Sequence, residues 1–208
     1  MKHRRIISVF SVLFFVLFAL FSFLVKSRIL RGFDLDAIIR IQNHTPQNFD
    51  IFLSFFSLLG SFEASFLFLI IIFLLRKKVS SFVILLIFTA THIIELFGKT
   101  FLIHPGPPLQ FFRYNIPFYF PSTYVQPGSS YPSGHSLRIT FVFIILVFIT
   151  YFSKKIHPKV KYFVYASLIF ITFIMLISRI SLGEHWLTDV IGGILLGISS
   201  GLLSTLFL

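Results

Sequence analysis

Two short polar stretches interrupt an otherwise apolar chain, and each contains a histidine next to small or charged residues. The first is YPSGHSLR at residues 131–138, and the second is SRISLGEHWLTD at residues 178–189. In the second stretch, His185 and Asp189 are four residues apart, so a helix would stack them on one face. A carboxylate in that position would bind one imidazole nitrogen, fix the tautomer and leave the other nitrogen as a base or nucleophile. Arg179 adds a planar fork of donors that matches a phosphate group.

The first stretch has the composition of an anion-binding turn at the start of a helix. Gly134 would let the backbone approach a ligand closely, and Ser133 offers a hydroxyl beside it. Free N–H groups in the first turn of a helix also bind anions. His135 follows at once, where it could protonate a leaving oxygen. The tetrapeptide therefore predicts an anion cradle with an adjacent proton donor at the start of a helix.

A third group of polar residues lies inside a long apolar run. Glu95 and Lys99 form a Glu-before-Lys pair at helical spacing, and His92 shares their face. Ionisable side chains within a membrane span are costly, so each of them needs a pairing or functional role. We expect Lys99 to reach the phosphate, and Glu95 to hold Lys99 in place or to neutralise its charge.

The elements that must position these residues are membrane helices. The chain of 208 residues is 56% hydrophobic and 12% charged, with 31 phenylalanines, which is too apolar for a soluble domain. A span needs roughly 20 apolar residues, and six runs qualify: 6–25, 55–75, 80–103, 136–153, 160–178 and 187–207. Residues 26–49 are more polar and predict an interfacial helix between spans one and two. The predicted fold is an all-α, six-span membrane protein with a single domain, 1–208.

Basic residues in the short connections predict which side faces the cytoplasm. Ten of the 18 Lys and Arg residues would lie on one side of a six-span protein: Lys2, Arg4, Arg5, Arg76, Lys77, Lys78, Lys154, Lys155, Lys159 and Lys161. The excess of positive charge marks that side as cytoplasmic. Both termini would then face the cytoplasm, and the polar stretches would meet at the outer membrane face.

Composition also bears on partners and cofactors. The net charge of +11 is spread between apolar runs rather than gathered in a patch, so nucleic acid is not an expected partner. The chain has no cysteine, and its seven Asp and Glu residues form no carboxylate cluster along the sequence, so neither a metal nor a cofactor is expected. The GxxxG pattern from Gly193 to Gly197 predicts close helix packing, either within the chain or in a homodimer.

These motifs resemble those of the type-2 phosphatidic acid phosphatase family, the membrane-integrated lipid phosphatases. PSGH at 132–135 matches the second family motif, and Ser178-Arg179, His185 and Asp189 match the third, SRxxxxxHxxxD. The resemblance implies that His185 attacks phosphorus to form a phosphohistidine and that Asp189 orients it. His135 would protonate the leaving group. Four residues would hold the phosphoryl oxygens: Lys99, Ser133, Gly134 and Arg179.

The first family motif, KxxxxxxRP, is incomplete. Lys99 and Pro107 match, but Gly106 stands where the family has arginine. Three residues could supply the missing positive charge, and they are Arg138, His104 and Arg113. We favour Arg138 as a phosphate-binding residue, because it lies one helical turn beyond His135.

The resemblance implies hydrolysis of a lipid phosphate monoester or diphosphate at the outer face of a bacterial cytoplasmic membrane. Phosphatidic acid, phosphatidylglycerol phosphate and undecaprenyl diphosphate are the candidate substrates, and the residues do not choose among them. Two alternatives stay open. A phosphotransferase would pass the phosphoryl group to another acceptor, and the missing arginine would also fit a non-catalytic binder of lipid phosphates.

Overall fold

Long apolar runs without proline favour helices, because a helix satisfies its own backbone hydrogen bonds where water is absent. The computed structural model describes residues 2–76, 79–118, 120 and 129–208. Within these residues the chain forms eight α-helices: Lys2–Lys26 (α1), Arg31–His44 (α2), Asp50–Ser57 (α3), Phe62–Arg76 (α4), Phe82–Phe101 (α5), Gly134–Phe152 (α6), Pro158–Ser181 (α7) and Leu187–Thr205 (α8). The prediction of an all-α fold is confirmed.

Five of these helices are long and apolar enough to cross a membrane, namely α1, α5, α6, α7 and α8. A sixth candidate span consists of α3 and α4, which meet at a bend of 48°. The predicted set of membrane spans is therefore confirmed in number if this bent pair counts as one. Helix α2 occupies the segment predicted to lie in the interface, and its position relative to a bilayer stays a prediction.

The second predicted span is wrong in one respect, since the chain between residues 55 and 75 is not one continuous helix. A short turn at Leu58–Gly60 separates α3 from α4, and the Ser61 hydroxyl accepts a hydrogen bond from the Ala64 N–H at the start of α4. Gly60 lies so close to α6 that a Cβ atom there would be 2.8 Å from the carbonyl oxygen of His135. The break brings the backbone of this span against the start of α6.

Helices α6 and α8 form a parallel pair held by small residues. A Cβ atom at Gly193 would lie 2.5 Å from the carbonyl oxygen of Ser133, and one at Gly197 would lie 2.6 Å from that of Leu137. Both pairs advance in the same direction along the two helices, so the N-termini of α6 and α8 lie at the same end. The GxxxG face is thus covered within the chain, and the predicted homodimer stays a prediction.

Helix α1 packs antiparallel on α8 through polar contacts inside an apolar environment. The hydroxyl of Ser11 donates to the carbonyl of Ser199, and the hydroxyl of Ser199 donates to the carbonyl of Ser11, at 2.8 and 2.9 Å. Nearer the polar end, Ser22 lies 2.8 Å from the phenol oxygen of Tyr131. Such contacts contribute about 0.6 kcal/mol each between membrane helices, and here they fix the register of α1.

The predicted sidedness depends partly on Lys77 and Lys78, which lie outside the described residues. Arg76, at the end of α4, donates a 2.7 Å hydrogen bond to the carbonyl of Leu208 at the end of the chain. The end of span two and the end of span six therefore lie together. This is expected if the chain crosses the membrane four times between them. The cytoplasmic assignment of this side stays a prediction.

We expect Gly193→Ala to destabilise the protein, because the added methyl group would meet backbone of α6 that cannot rotate away. Overpacking of this kind costs about 1–3 kcal/mol. The midpoint of thermal unfolding in detergent micelles measures the effect. Gly32→Ala in α2 is the matched control, since a Cβ atom there has no neighbour within 4 Å. Equal unfolding midpoints for the two variants would contradict the assigned α6–α8 packing.

Candidate active site

Four helix ends and one turn bring five of the predicted site residues into one region. Lys99 lies in the last turn of α5, His135 in the first turn of α6, and Arg179 in the last turn of α7. Asp189 lies in the first turn of α8, and His185 lies in the turn just before that helix. The alternating directions of α5 to α8 produce this convergence from residues far apart in sequence.

His185 and Asp189 form a buried imidazole–carboxylate pair. Nδ1 of His185 lies 3.3 Å from Oδ2 of Asp189, and the Asp189 side chain is 0% exposed. Burial lowers the pKa of His185 well below its usual value, and the positive charges of Arg179 and Lys99 lower it further. His185 is therefore a neutral imidazole at neutral pH. With its Nδ1–H directed to the carboxylate, the lone pair of Nε2 is free.

The pair does not arise from helical stacking, which corrects the premise of its prediction. Helix α8 begins at Leu187, so His185 precedes the helix and only Asp189 belongs to it. The Asp189 carboxylate instead accepts the backbone N–H of Trp186 at 2.9 Å, as a residue in the first turn of a helix does. This cap fixes the carboxylate, and His185, the residue before Trp186, meets the same oxygen.

The turn between Arg179 and His185 explains the spacing of the third motif. The backbone N–H groups of Glu184 and His185 donate to the carbonyl oxygen of Arg179, at 3.2 and 3.1 Å. Gly183 adopts a positive φ of 72°, and a side chain there would collide with the carbonyl oxygen of Phe111. A glycine at this position thus closes the turn and returns the chain so that His185 faces Arg179.

Arg179 is nearly fully buried and has two polar partners. Its Nη1 lies 2.5 Å from Oε2 of Glu184, and the same nitrogen donates to the hydroxyl of Ser57 in α3. Its Nε is buried and has no hydrogen-bond partner among the described residues. Burial raises the pKa of Glu184 even though Arg179 opposes the shift. The guanidinium thus has donor capacity beyond its two protein partners.

Glu95 binds the positively charged side chains contributed by α5 and α6. It accepts a 2.7 Å hydrogen bond from Nζ of Lys99, and Nη1 of Arg138 lies 3.3 Å from its other oxygen. His92 lies 3.1 Å from that same oxygen. Glu95 therefore holds Lys99, as predicted from their spacing, and it also holds Arg138.

Arg138 lies at the junction of the broken span and α6. Its Nε donates to the carbonyl oxygen of Gly60 at 2.7 Å, and its Nη2 lies 3.4 Å from Nδ1 of His135. An arginine is always a donor, so Nδ1 of His135 accepts and the ring proton lies on Nε2. Arg138 thus fixes the tautomer of His135 as Asp189 fixes that of His185.

Ser133 and Gly134 have partners within the chain. The Ser133 hydroxyl accepts from the N–H and the hydroxyl of Ser136, at 3.4 and 3.0 Å, which makes it the N-cap of α6. The space that a side chain at Gly134 would need is taken by the carboxylate of Glu95 and the guanidinium of Arg138. Glycine at 134 therefore admits these two side chains to the start of α6. Phosphate binding by Ser133 and Gly134 stays a prediction.

The three candidates for the missing arginine lie in different surroundings. Arg113 is bound to Asp50, with contacts of 3.0 and 2.8 Å, and to the carbonyls of Gln42 and Thr45. His104 faces Asp189, with its Nε2 3.4 Å from Oδ1. Arg138 contacts His135 and acts electrostatically on His185. Of the three, Arg138 lies nearest to the two histidines, and phosphate binding by it stays a prediction.

Sequence reasoning missed four residues that contact the predicted set. They are Asp34, Ser57, Gly60 and Glu184. Ser57 and Gly60 could have been suspected from the small and polar residues that interrupt span two. Glu184 lies inside the third motif, yet its spacing from Arg179 suggests a contact only once the turn is known. Among the described residues, no group of three or more His, Cys, Asp or Glu side chains could hold a metal ion.

Comparison with known proteins relates this arrangement to a family. The family model of the PAP2 superfamily matches residues 81–208. Phosphatidylglycerophosphatase B of Bacillus subtilis (strain 168) is 40% identical over 76 residues, which are 35% of this chain and 36% of that protein. The aligned part thus spans about a third of this relative.

Two solved structures share the fold. One is a transmembrane PAP2-type phosphatidylglycerolphosphate phosphatase from Bacillus subtilis, with a TM-score of 0.76, 22% identity, and coverage of 95% of this chain and 94% of that one. The other is LpxE of Aquifex aeolicus, with a TM-score of 0.62, 25% identity, and coverage of 82% and 93%. The likeness extends over nearly the whole chain, including the helices before residue 81.

The predicted resemblance is confirmed, because the family model covers most of the chain and includes all three motif regions. The apolar helices and the shared fold also establish an integral membrane protein. The chain belongs to the PAP2 superfamily.

Proposed function

We propose that this protein hydrolyses a lipid phosphate, with His185 as the nucleophile. One observation carries the proposal: a buried, neutral imidazole pairs through Nδ1 with Asp189 and lies within the field of Arg179 and Lys99. A neutral ring has a free lone pair, and the adjacent cations attract a phosphate to it. Family membership supports the same activity.

The names of two relatives suggest the first substrate to test. Both are phosphatases of phosphatidylglycerol phosphate, so we infer that this lipid is the leading candidate. Phosphatidic acid and undecaprenyl diphosphate remain on the panel, because the polar residues described above recognise the phosphate and not the rest of the lipid. We place the single domain, 1–208, in a bacterial cytoplasmic membrane, with its site facing outward.

In the first chemical step, Nε2 of His185 donates its lone pair to phosphorus, and the bond from phosphorus to the leaving oxygen breaks. Asp189 stabilises the charge that develops on the ring by accepting its Nδ1–H. The leaving oxygen takes a proton from His135. In the second step, water loses a proton to His135 and attacks phosphorus. The phosphorus–nitrogen bond breaks, and inorganic phosphate leaves.

Two of the buried carboxylates keep the cations in place before the substrate arrives. Glu184 holds Arg179, and Glu95 holds Lys99 and Arg138. An entering phosphate would take part of this hydrogen bonding and stabilise the negative charge spread over its oxygens. The N-terminal ends of α6 and α8 point to the same region and add a favourable dipole.

Arg138 sets the tautomer in which His135 acts. Because Arg138 donates to Nδ1, the neutral ring carries its proton on Nε2. The negative charge of a bound phosphate would favour a second proton on this ring at Nδ1, in place of the hydrogen bond from Arg138. The leaving oxygen then receives the Nε2 proton, and the ring stays neutral with its proton on Nδ1. Arg138 would also supply the positive charge of the motif arginine that Gly106 replaces.

We expect His185→Ala to abolish release of inorganic phosphate, and Asp189→Asn to reduce kcat by about 10⁴-fold, since the asparagine would favour the wrong tautomer. The measurement uses purified protein in mixed micelles with each lipid of the panel. His44→Ala is the matched control, because His44 is exposed at the end of α2. Release by His185→Ala at the wild-type rate would refute the assigned nucleophile.

The same assay separates the proposed hydrolysis from the two alternatives. Loss of lipid phosphate without free phosphate would indicate transfer to another acceptor. Saturable binding of all panel lipids without turnover would indicate a non-catalytic binder. Stoichiometric release of inorganic phosphate supports hydrolysis.

We expect Arg138→Ala to lower kcat/KM by about 10–100-fold, because it removes one positive charge from the phosphate and loosens His135. Gly106→Arg in the Arg138→Ala background should restore part of the loss. A side chain fits there, since a Cβ atom at 106 would make only an ordinary 3.5 Å contact with Ser130. Arg40→Ala, on the exposed face of α2, is the control. Wild-type kinetics for Arg138→Ala would remove this residue from the site.

A further inference from the structure

The side chain of His104 lies between two buried carboxylates, one of which belongs to the active site. Its Nε2 is 3.4 Å from Oδ1 of Asp189 and 4.0 Å from Oδ2 of Asp34. The His104 side chain is 8% exposed, and the side chains of Asp189 and Asp34 are 0% and 2% exposed. Among the described residues, Nε2 of His104 and Oδ1 of Asp189 are both buried without a regular hydrogen bond, and the Ser130 side chain also acts on the Asp189 carboxylate. The two atoms are thus complementary and close.

The backbone around His104 is bound to chain segments beside both proposed catalytic histidines. Its N–H donates to the hydroxyl of Ser129 at 3.1 Å, and its carbonyl accepts the N–H of Ser130 at 2.8 Å. The carbonyl of the next residue, Pro105, accepts the indole N–H of Trp186 at 2.8 Å. Ser130 leads into the PSGH motif, and Trp186 follows His185. The position of the imidazole is therefore fixed relative to Asp189.

The second carboxylate is itself held at the start of α8. Asp34 accepts the N–H of Thr188 at 2.9 Å and the hydroxyl of Thr188 at 2.7 Å. Burial raises the pKa of Asp34 to about 6, so this carboxylate is largely ionised at neutral pH. His104 thus faces a fixed negative charge from α2 and another from α8.

The charges around His104 leave it neutral. Burial lowers its pKa, Asp189 opposes that shift, and the positive charges of Arg31 and Arg28 add to it. A neutral imidazole between two carboxylate oxygens is stabilised when the facing nitrogen carries the proton. The proton is therefore expected on Nε2, directed toward Oδ1 of Asp189.

We propose that His104 is a positioning residue that holds the Asp189 carboxylate from the oxygen that His185 does not use. Oδ2 of Asp189 accepts from His185 and from the N–H of Trp186, while Oδ1 lies 3.4 Å from Nε2 of His104. The carboxylate is thereby fixed against rotation, and with it the direction in which Nε2 of His185 points. This inference rests on the proposed function, since it assigns His104 a part in orienting the nucleophile.

A cavity beside His104 offers a way to test this role chemically. It has a volume of about 260 Å³ and is lined by Asp34 and His104 together with Arg31, Gly106 and Trp186. A small molecule such as imidazole fits such a space. Truncation of His104 would enlarge the cavity toward Asp189, so free imidazole could occupy the vacated position.

The experiment compares His104→Leu, His104→Gln and His104→Ala in the phosphate-release assay. We expect His104→Leu to lower kcat by about 10–100-fold, the cost of a poorly oriented nucleophile, with KM changed by less than about threefold. His104→Gln keeps an N–H near the position of Nε2 and should retain more of the rate. Added imidazole should restore much of the rate of His104→Ala and leave His44→Leu, the exposed control, unchanged.

A measurement without turnover separates this inference from the proposed function. In the protein labelled with ¹⁵N-histidine, we expect His104→Leu to shift the ring resonances of His185 and His104→Gln to shift them less. If the wild-type protein releases no phosphate, the proposed hydrolysis is refuted. If the His185 resonances still shift in this pattern between the variants, the positioning role is supported.

Three results would overturn the inference. One is a wild-type kcat for His104→Leu, and another is an unshifted His185 resonance in that variant. The third is a purely structural effect. In that case the Leu and Gln variants would show the same fall in unfolding midpoint and the same fall in kcat, and imidazole would not restore the rate of His104→Ala. If His104→Leu does not fold, His104→Gln and imidazole-treated His104→Ala decide the question.

Discussion

The site depends on the pairing of buried cations with buried carboxylates. A guanidinium or ammonium group removed from water without a partner costs several kcal/mol, and a membrane protein offers few polar alternatives. Here Glu184 compensates Arg179, while Glu95 compensates Lys99 and Arg138. The pairs keep positive charge concentrated around His185 before any phosphate is present. That charge, with burial, keeps the imidazole neutral, as the proposed role of His185 as nucleophile requires.

The helices position these pairs through close backbone contacts. Glycines on α8 let α6 approach so closely that the two N-termini lie side by side. The break after α3 brings Ser57 to Arg179 and the carbonyl of Gly60 to Arg138. In a continuous helix, the carbonyl groups of this span would accept hydrogen bonds from the backbone N–H groups of the same helix and would not be available to an arginine. The irregular backbone therefore occurs where a buried arginine needs an acceptor.

Much of the architecture could be predicted from the sequence, since apolar runs of about 20 residues leave few structural choices. The convergence of Lys99, His135, Arg179, His185 and Asp189 followed from alternating helix directions. Two kinds of feature escaped prediction. The small and polar residues around Gly60 hint at a break in span two, but its close contact with α6 is a feature of tertiary packing that no local pattern reports. The pairing of His185 with Asp189 was expected for a wrong reason, because the helix begins after His185 and a helix cap brings the two side chains together.

The central claim is that Nε2 of His185 becomes bonded to phosphorus during turnover. The most direct test mixes the protein rapidly with a ³²P-labelled lipid phosphate, quenches the reaction in alkali, where phosphohistidine survives, and maps the label by mass spectrometry. Our account predicts label on the peptide that contains His185, formed before free phosphate is released, and no label in His185→Ala. Turnover with label on a different residue, or with no labelled protein at any time, would contradict it.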